Sequence, residues 1–300
     1  MQASPAPNVA TLVSLPGEEF ALADGLRKAT GLLPAPEEPS PLGSEAIDLP
    51  FGEGNLTTLR AAMLEMLQHL PVDIVLQPAA ARAKKLLIAD MDSTIIGQEC
   101  IDELAELVGI RAEISAITER AMRGEIAFEP ALRERVALLK GVKRADIDRL
   151  LRDVVTLNPG ARTLVRTMAA RGAHTALVSG GFSLFTQVVA ERAGFAENRA
   201  NVLGMAGDTL DGTVEEPVLG REAKREALDG MAAARDIPME LTLAVGDGAN
   251  DLAMIETAGL GVAYRAKPLV AIAADAAVNH TDLTSLLYAQ GYREADFVRG

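Results

Sequence analysis

One cysteine, Cys100, occurs in 300 residues, and it has no partner within the chain with which to form a bridge. Disulfides therefore do not hold this fold, and a chain of this length can bury enough apolar surface without them. The first residues lack the basic segment, apolar run and small-residue cleavage site of a secretory leader, so a reducing, cytoplasmic setting is expected. Long apolar runs are also missing. Stretches such as residues 85–89 are broken by charge or glycine well short of the ~18 residues that cross a bilayer, and no membrane partner is expected. Positive charge is scarce, with 29 Lys and Arg against 42 Asp and Glu and a formal net charge of -13. Nucleic acid is thereby disfavoured, because phosphate backbones are bound through clustered cations. A small anionic substrate is not excluded, since a pocket's own charges and metal govern within the ~8–10 Å that salt leaves unscreened.

What is present falls into two textures. Residues 1–80 carry proline-rich stretches at 3–8 and 33–42 that read as loop. Around them the pattern predicts a strand at 9–15, a helix at 22–30, a weak strand at 46–50, an amphipathic helix at 56–70 and a strand at 72–77. That is a small α+β module without clustered His, Cys or paired carboxylates, and it reads as structural or regulatory. Residues 81–300 read as an α/β domain. Short apolar strands at 85–89, 173–178, 241–245, 259–263 and 276–278 alternate with helices, which predicts a doubly wound parallel sheet covered on both faces. Residues 90–172 separate the first two strands, far more than the dozen or so that a crossover needs. The excess predicts a helical cap inserted at about 97–158, with helices at 100–108, 112–122, 129–139 and 144–154. A further excursion at 207–212 has hairpin-turn chemistry between Val202 and Val214.

Open parallel sheets bind ligands beyond the carboxyl ends of their strands, and three polar clusters fall there. Asp90-Met91-Asp92-Ser93-Thr94 follows one strand, Ser179-Gly180-Gly181 another, and Gly246-Asp247-Gly248-Ala249-Asn250-Asp251 a third. Asp90 and Asp92 stand where a strand bends into a loop, so one carboxylate can attack while the other handles protons. Both also suit capping of the next helix. Asp247 and Asp251 add hard oxygen ligands of the kind Mg²⁺ takes, and Gly246 and Gly248 let backbone come close. Ser179 and the N–H groups of Gly180 and Gly181, read as the opening of a helix, offer neutral donors to phosphate oxygens. Lys224, on a helix opening near Gly220, offers a fixed positive charge. Each feature alone also fits an ordinary turn or a solvated surface residue. Their coincidence on one sheet edge points to phosphoryl chemistry.

This ordered set resembles the four motifs of the haloacid dehalogenase superfamily of phosphatases. Within it, residues 84–288 are similar to the phosphoserine phosphatase family, including Ala121-Met122-Arg123-Gly124-Glu125-Ile126-Ala127-Phe128 and Arg133-Glu134-Arg135-Val136 in the cap. The resemblance implies hydrolysis of O-phospho-L-serine, with Asp90 attacking phosphorus to form an aspartyl phosphate and Asp92 acting first as acid, then as base. It implies Mg²⁺ held by the Asp90 carboxylate, the Asp92 main-chain carbonyl and Asp247, with Asp251 in support. Ser179, Gly180 and Lys224 would hold the phosphoryl oxygens, with Asn250 beside them. Glu99 is assigned to the substrate ammonium, Arg135 to its carboxylate, and Met122 and Phe128 to the apolar wall of the cap. A guanidinium grips a carboxylate in a two-pronged pair, which suits that role. From the residues alone, Glu99 reads as a first-turn acid and Arg135 as part of an exposed charge pattern with Glu134.

Related bacterial enzymes carry ACT-like modules ahead of the catalytic domain, so residues 1–80 are expected to be a degenerate, non-sensing module of that kind. It is expected to pack on the catalytic domain or on a second subunit of a homodimer. A phosphoacceptor receiver domain could use the same acidic cluster, but it needs neither an inserted cap nor a second acid such as Asp92. Phosphatases or phosphotransferases acting on phosphohomoserine, phosphoethanolamine or a sugar phosphate are nearer alternatives. Phosphoethanolamine lacks the carboxylate for Arg135 and sugar phosphates lack the ammonium for Glu99. Phosphohomoserine differs by one methylene, worth about 1–3 kcal/mol in a tight pocket.

Overall fold

The computed structural model describes residues 6–299 apart from Gly124, with the side chains of Met122 and Arg221 outside the described set. The chain opens with β1 (Asn8–Ser14), α1 (Glu19–Leu32), β2 (Ser40–Pro41), β3 (Ala46–Phe51), α2 (Leu56–Leu67) and β4 (Val72–Pro78). These strands form an antiparallel sheet in the order β2-β3-β1-β4, a β-α-β-β-α-β arrangement. Every residue of β1 is buried, because the sheet is covered on both sides. Ala10 and Leu12 pack with Leu22 of α1 and Met63 of α2, whereas Val13 on the opposite face meets Tyr288 near the end of the chain. Residues 33–42, expected as loop, contain β2; the prolines around it confine it to two residues at the sheet edge.

Polar contacts also join this sheet to the rest of the molecule. The buried Asp73 of β4 accepts N–H bonds from Asn279, His280 and Thr281 at 2.8–3.2 Å and the Thr281 hydroxyl at 2.6 Å. Arg82 pairs with Asp48 at 2.6 Å, and the Gln77 amide donates to the Ala289 carbonyl at 2.6 Å.

The remaining strands are β5 (Leu86–Ala89), β6 (His174–Phe182), β7 (Glu197–Asn201), the hairpin pair β8 (Leu203–Ala206) and β9 (Thr209–Val214), and then β10 (Thr242–Gly246), β11 (Leu260–Tyr264) and β12 (Ala276–Val278). Six of them form a parallel sheet in the order β12-β11-β10-β5-β6-β7. The apolar run of β5 serves two cores at once: Leu87 and Ala89 enter one, Leu86 and Ile88 the other. Leu243 and Val245 of β10 share the first core, and Ala244 the second. Strand order reverses at β5, with β6 on one side and β10 on the other, so a switch point lies at their carboxyl ends. The edge strand β7 was not expected, because its sequence, Glu-Asn-Arg-Ala-Asn, carries no apolar alternation.

Ser179-Gly180-Gly181 departs from expectation. These residues do not open a helix but continue β6, and helix α8 (Ser183–Ala193) begins only after Phe182. The cause lies in β7. Phe182 pairs with Asn201 across a register shift, and the Asn201 amide donates to the Gly180 carbonyl at 2.8 Å, holding the segment extended.

Between β5 and β6 lie α3 (Cys100–Val108), α4 (Arg111–Met122), α5 (Phe128–Leu138) and α6 (Arg144–Asp153), followed by α7 (Ala161–Ala170) against the sheet. Leu104, Leu132, Val136, Ile147 and Leu151 join the core continuous with the first face of the sheet. The β8–β9 hairpin, distant in sequence, completes this cap. Gly141 N–H donates to the Leu210 carbonyl, Leu210 N–H to Val142 and Arg144 N–H to Asp208, each at 2.8 Å. No helix of the described residues is long and apolar enough to cross a membrane.

Candidate active site

Asp90 leaves β5 with its N–H still donating to Val245 of β10 at 3.0 Å, so the sheet fixes its backbone. The chain then bends: Asp92 is extended (φ −65°, ψ 138°) and Ser93 takes a left-handed conformation at φ 54°, uncommon for a residue with a side chain. Asp90 is buried, and its Oδ1 lies 2.6 Å from Nζ of Lys224 on α9 (Arg221–Ala233). The same Nζ lies 2.6 Å from Oδ1 of Asp251, also buried. Burial alone would lower the Lys224 pKa, but the Asp251 and Asp90 carboxylates outweigh it and push it up. Asp90 is pushed well above the usual carboxyl range, first by burial and next by Asp251, with Lys224 offsetting part of the rise.

Beyond β10, Asp251 Oδ2 accepts the N–H groups of Asp247 and Gly248 at 3.1 and 3.0 Å, closing the loop on itself. Gly246 is required, since a Cβ there would run into the Asp251 carboxylate. Asp247 receives the Thr94 hydroxyl at 3.3 Å, and burial followed by the Asp251 and Glu99 charges raises its carboxyl to about 6. Carboxylate oxygens of Asp90, Asp247 and Asp251 lie within 4.8 Å of one another. Three carboxylates and one ammonium leave two uncompensated negative charges when all are ionised. A hard, oxygen-ligated divalent cation fits that donor set and that charge.

The half-buried Asp92 has its two carboxyl oxygens in different surroundings. Oδ1 accepts Cys100 N–H at 3.1 Å, capping α3, while a Cβ on Gly181 would fall 2.9 Å from Oδ2 and 3.0 Å from Ser179 Oγ. Burial, with the Glu99 charge second, raises Asp92 to about 7. Ser179 Oγ accepts Gly181 N–H at 2.9 Å. Sequence reasoning therefore offered capping and acid chemistry as alternatives for Asp92, whereas one carboxyl has the geometry for both.

The cap residues are distributed less evenly. Glu99, just before α3, accepts the Ser93 hydroxyl at 2.6 Å, which fastens it to the loop that follows Asp90. The Phe128 ring, opening α5, lies against Gly180 and Gly220, above the Ser179 segment and the start of the helix carrying Lys224. Arg135 is half-buried and donates to the Ala131 carbonyl and the Thr118 hydroxyl; among the described residues it forms no ion pair. Burial lowers its pKa, against the Asp102 and Glu99 charges. Asn250 sits over Gly248. The Met122 side chain lies outside the described residues. The structure thus gathers Asp90, Asp92, Ser179, Lys224, Asp247 and Asp251, ties in Glu99 through Ser93, and brings Phe128 over Gly180. Sequence reasoning gave no role to Ser93, Thr94 or Asn201. The first two stood inside a recognised motif, whereas nothing in the polar run around Asn201 marks it as the residue that holds Gly180 and, through Leu219 N–H at 2.7 Å, the approach to α9.

The chain belongs to the haloacid dehalogenase-like hydrolase family, which matches residues 87–256. It is 42% identical over 235 residues to a phosphoserine phosphatase of Streptomyces coelicolor, covering 78% of this chain and 57% of that protein. It is 43% identical over 202 residues to a phosphoserine phosphatase of Idiomarina loihiensis, covering 67% of this chain and 91% of the relative. The crystal structure of a haloacid dehalogenase family hydrolase from Salmonella enterica serovar Typhi superposes with a TM-score of 0.85 at 28% identity, covering 94% of this chain and 97% of that one. The chain therefore spans little more than half of the Streptomyces protein but nearly all of the Salmonella one.

Proposed function

We propose that the protein is a phosphoserine phosphatase that hydrolyses O-phospho-L-serine to L-serine and phosphate. The observation that carries this reading is the cluster of Asp90, Asp247 and Asp251 carboxylates, with Lys224 paired to the buried Asp90 and Asp251 and the protonatable Asp92 nearby. The phosphoserine phosphatases among the relatives support the substrate. In this reading Asp90, Asp247 and the Asp92 main-chain carbonyl would hold Mg²⁺, with Asp251 bracing the loop. Bound there, the ion would neutralise the repulsion between an anionic nucleophile and an anionic phosphate.

An Asp90 carboxylate oxygen attacks phosphorus, the bond from phosphorus to the serine oxygen breaks, and Asp92 gives its proton to that oxygen. The resulting aspartyl phosphate is cleared when the Asp92 carboxylate takes a proton from water. The water oxygen then bonds to phosphorus, and the bond to Asp90 breaks. A carboxyl near pH 7 suits a group that must both give and take a proton. Lys224, Ser179 and the Gly180 segment bind the phosphoryl oxygens, and Asn250 lies beside them. Glu99 takes the substrate ammonium and Arg135 its carboxylate. Phe128 supplies the apolar wall of the cap above Gly180.

Residues 1–80 are read as a degenerate ACT-like module, for which the β-α-β-β-α-β order is the support, and 81–300 as the catalytic domain. The proposal includes a cytoplasmic setting, in keeping with the lone cysteine, and a homodimer, which sedimentation equilibrium tests. The deciding experiment for activity is phosphate release from L-phosphoserine, phosphohomoserine, phosphoethanolamine and p-nitrophenyl phosphate, each with Mg²⁺ and with EDTA. A magnesium-dependent preference for phosphoserine by orders of magnitude in kcat/KM is expected. Magnesium-dependent turnover without that preference would keep Asp90 as nucleophile and reject the substrate; no turnover would reject both.

A further inference from the structure

Asp73 accepts three consecutive backbone N–H groups and a hydroxyl, all from residues 279–281. Apolar contacts of Val13, Leu42 and Ala46 with Tyr288 already seat the N-terminal sheet. The carboxylate therefore does something adhesion does not require: it sets the conformation of one turn. That turn leads back toward the active site. The Thr281 carbonyl accepts from the Arg265 guanidinium at 3.3 Å. Arg265 has φ 46°, again the left-handed region, and is held there by its N–H to the Val278 carbonyl at 2.9 Å and by its guanidinium over the Tyr264 ring, 5.3 Å from the centroid. Two residues on, Lys267 N–H donates to the carbonyl of Asp247 at 3.1 Å.

We infer that Asp73 is a positioning residue for the metal-binding loop, fixing the Asp247 peptide through residues 279–281, Arg265 and Lys267. The links are hydrogen bonds except for the two-residue run of main chain from Arg265 to Lys267, and the left-handed Arg265 is the corner at which the chain of contacts turns toward Asp247. The residue touches neither substrate nor metal, so its effect falls on how well Asp247 is placed as a ligand. The inference rests on the reading of Asp90, Asp247 and Asp251 as a divalent-metal site.

The test is direct Mn²⁺ binding to the full chain, followed by the electron paramagnetic resonance signal of the free ion, alongside melting temperature. Asp73→Asn keeps the volume but sets an NH₂ group against backbone donors. It should raise the Mn²⁺ Kd about tenfold, at the low end of the effects seen when a partner of a metal ligand is lost. Arg265→Ala cuts the path in the middle while the N-terminal sheet stays seated, and should raise the Kd to a similar degree. The double variant should be no weaker than the weaker single, because both cut one path. A lowered melting temperature with unchanged Mn²⁺ affinity in either variant would overturn the inference, as would additive losses in the double. If Asp73→Asn did not fold, unchanged affinity in Arg265→Ala would suffice to overturn it. Absence of Mn²⁺ binding by the unaltered chain would instead sink the metal-site reading, and the inference with it.

Discussion

The Asp92 carboxyl accepts the Cys100 N–H at 3.1 Å, so the residue proposed as acid also caps the start of the first helix of the cap. Asp92→Asn keeps an oxygen for that bond and removes only the titrating group. The variant should fold and be no less stable than the parent while kcat for phosphoserine falls by about 10²–10⁴, the usual worth of general acid–base catalysis. p-Nitrophenyl phosphate, whose leaving group needs no proton, should lose less in the aspartylation step under single-turnover conditions. Equal losses on both substrates in that step would contradict the acid role.

Lys224 is the sole cation among the described residues that lies within ion-pair distance of both Asp90 and Asp251. Lys224→Met keeps the apolar stem and leaves two buried carboxylates without their partner. Urea unfolding in EDTA should register a loss of about 3–5 kcal/mol, the cost of breaking a buried pair on one side. A variant as stable as the parent would mean that those carboxyls are neutral in the folded state.

Folding stability without metal should decline as pH rises. Asp92 and Asp247 are pushed to about 7 and about 6, against 3.8 for an unperturbed Asp carboxyl. A raised folded-state value means that the fold binds the proton more tightly, so its contribution is fully present below about pH 4 and lost as pH climbs through 6 and 7. Calorimetry in EDTA should show the melting temperature falling across that window, with Mg²⁺ recovering most of it near pH 7.5. A flat or rising EDTA profile would count against the burial of these two carboxyls.

Arg135 carries a half-buried guanidinium with no ion pair among the described residues. Arg135→Ala should cost kcat/KM for phosphoserine about 10- to 100-fold or more, the range for losing a charge-assisted contact, and should leave p-nitrophenyl phosphate nearly untouched. A parallel decline on both would return Arg135 to a packing role.

How much of this was legible in the sequence depended on where each residue's partners lie. β5, β10 and β11 were readable because strands buried on both faces must be apolar throughout, and the carboxylates stood at the ends of two of them. β7 and β2 were not, since an edge strand of polar residues and a proline-bound pair have no periodicity to detect. Ser179-Gly180-Gly181 was placed at the right edge but in the wrong conformation, because what keeps it extended is Asn201, about twenty residues away. Asp73 and Arg265 left no trace at all. Their meaning arises only when residues 73, 265 and 281 meet in space.

The cap is made from two stretches of chain, residues 100–153 and the hairpin at 203–214, with β6 and β7 between them. A cassette excised at 97–158 would therefore carry an unfinished lid into any new host, with the backbone around Gly141 and Val142 stripped of the strand that meets it. During synthesis the same arrangement delays completion: the lid cannot close its last hydrogen bonds until the polypeptide has left the ribosome past residue 214, by which time three strands of the parallel sheet are already available to collapse beneath it.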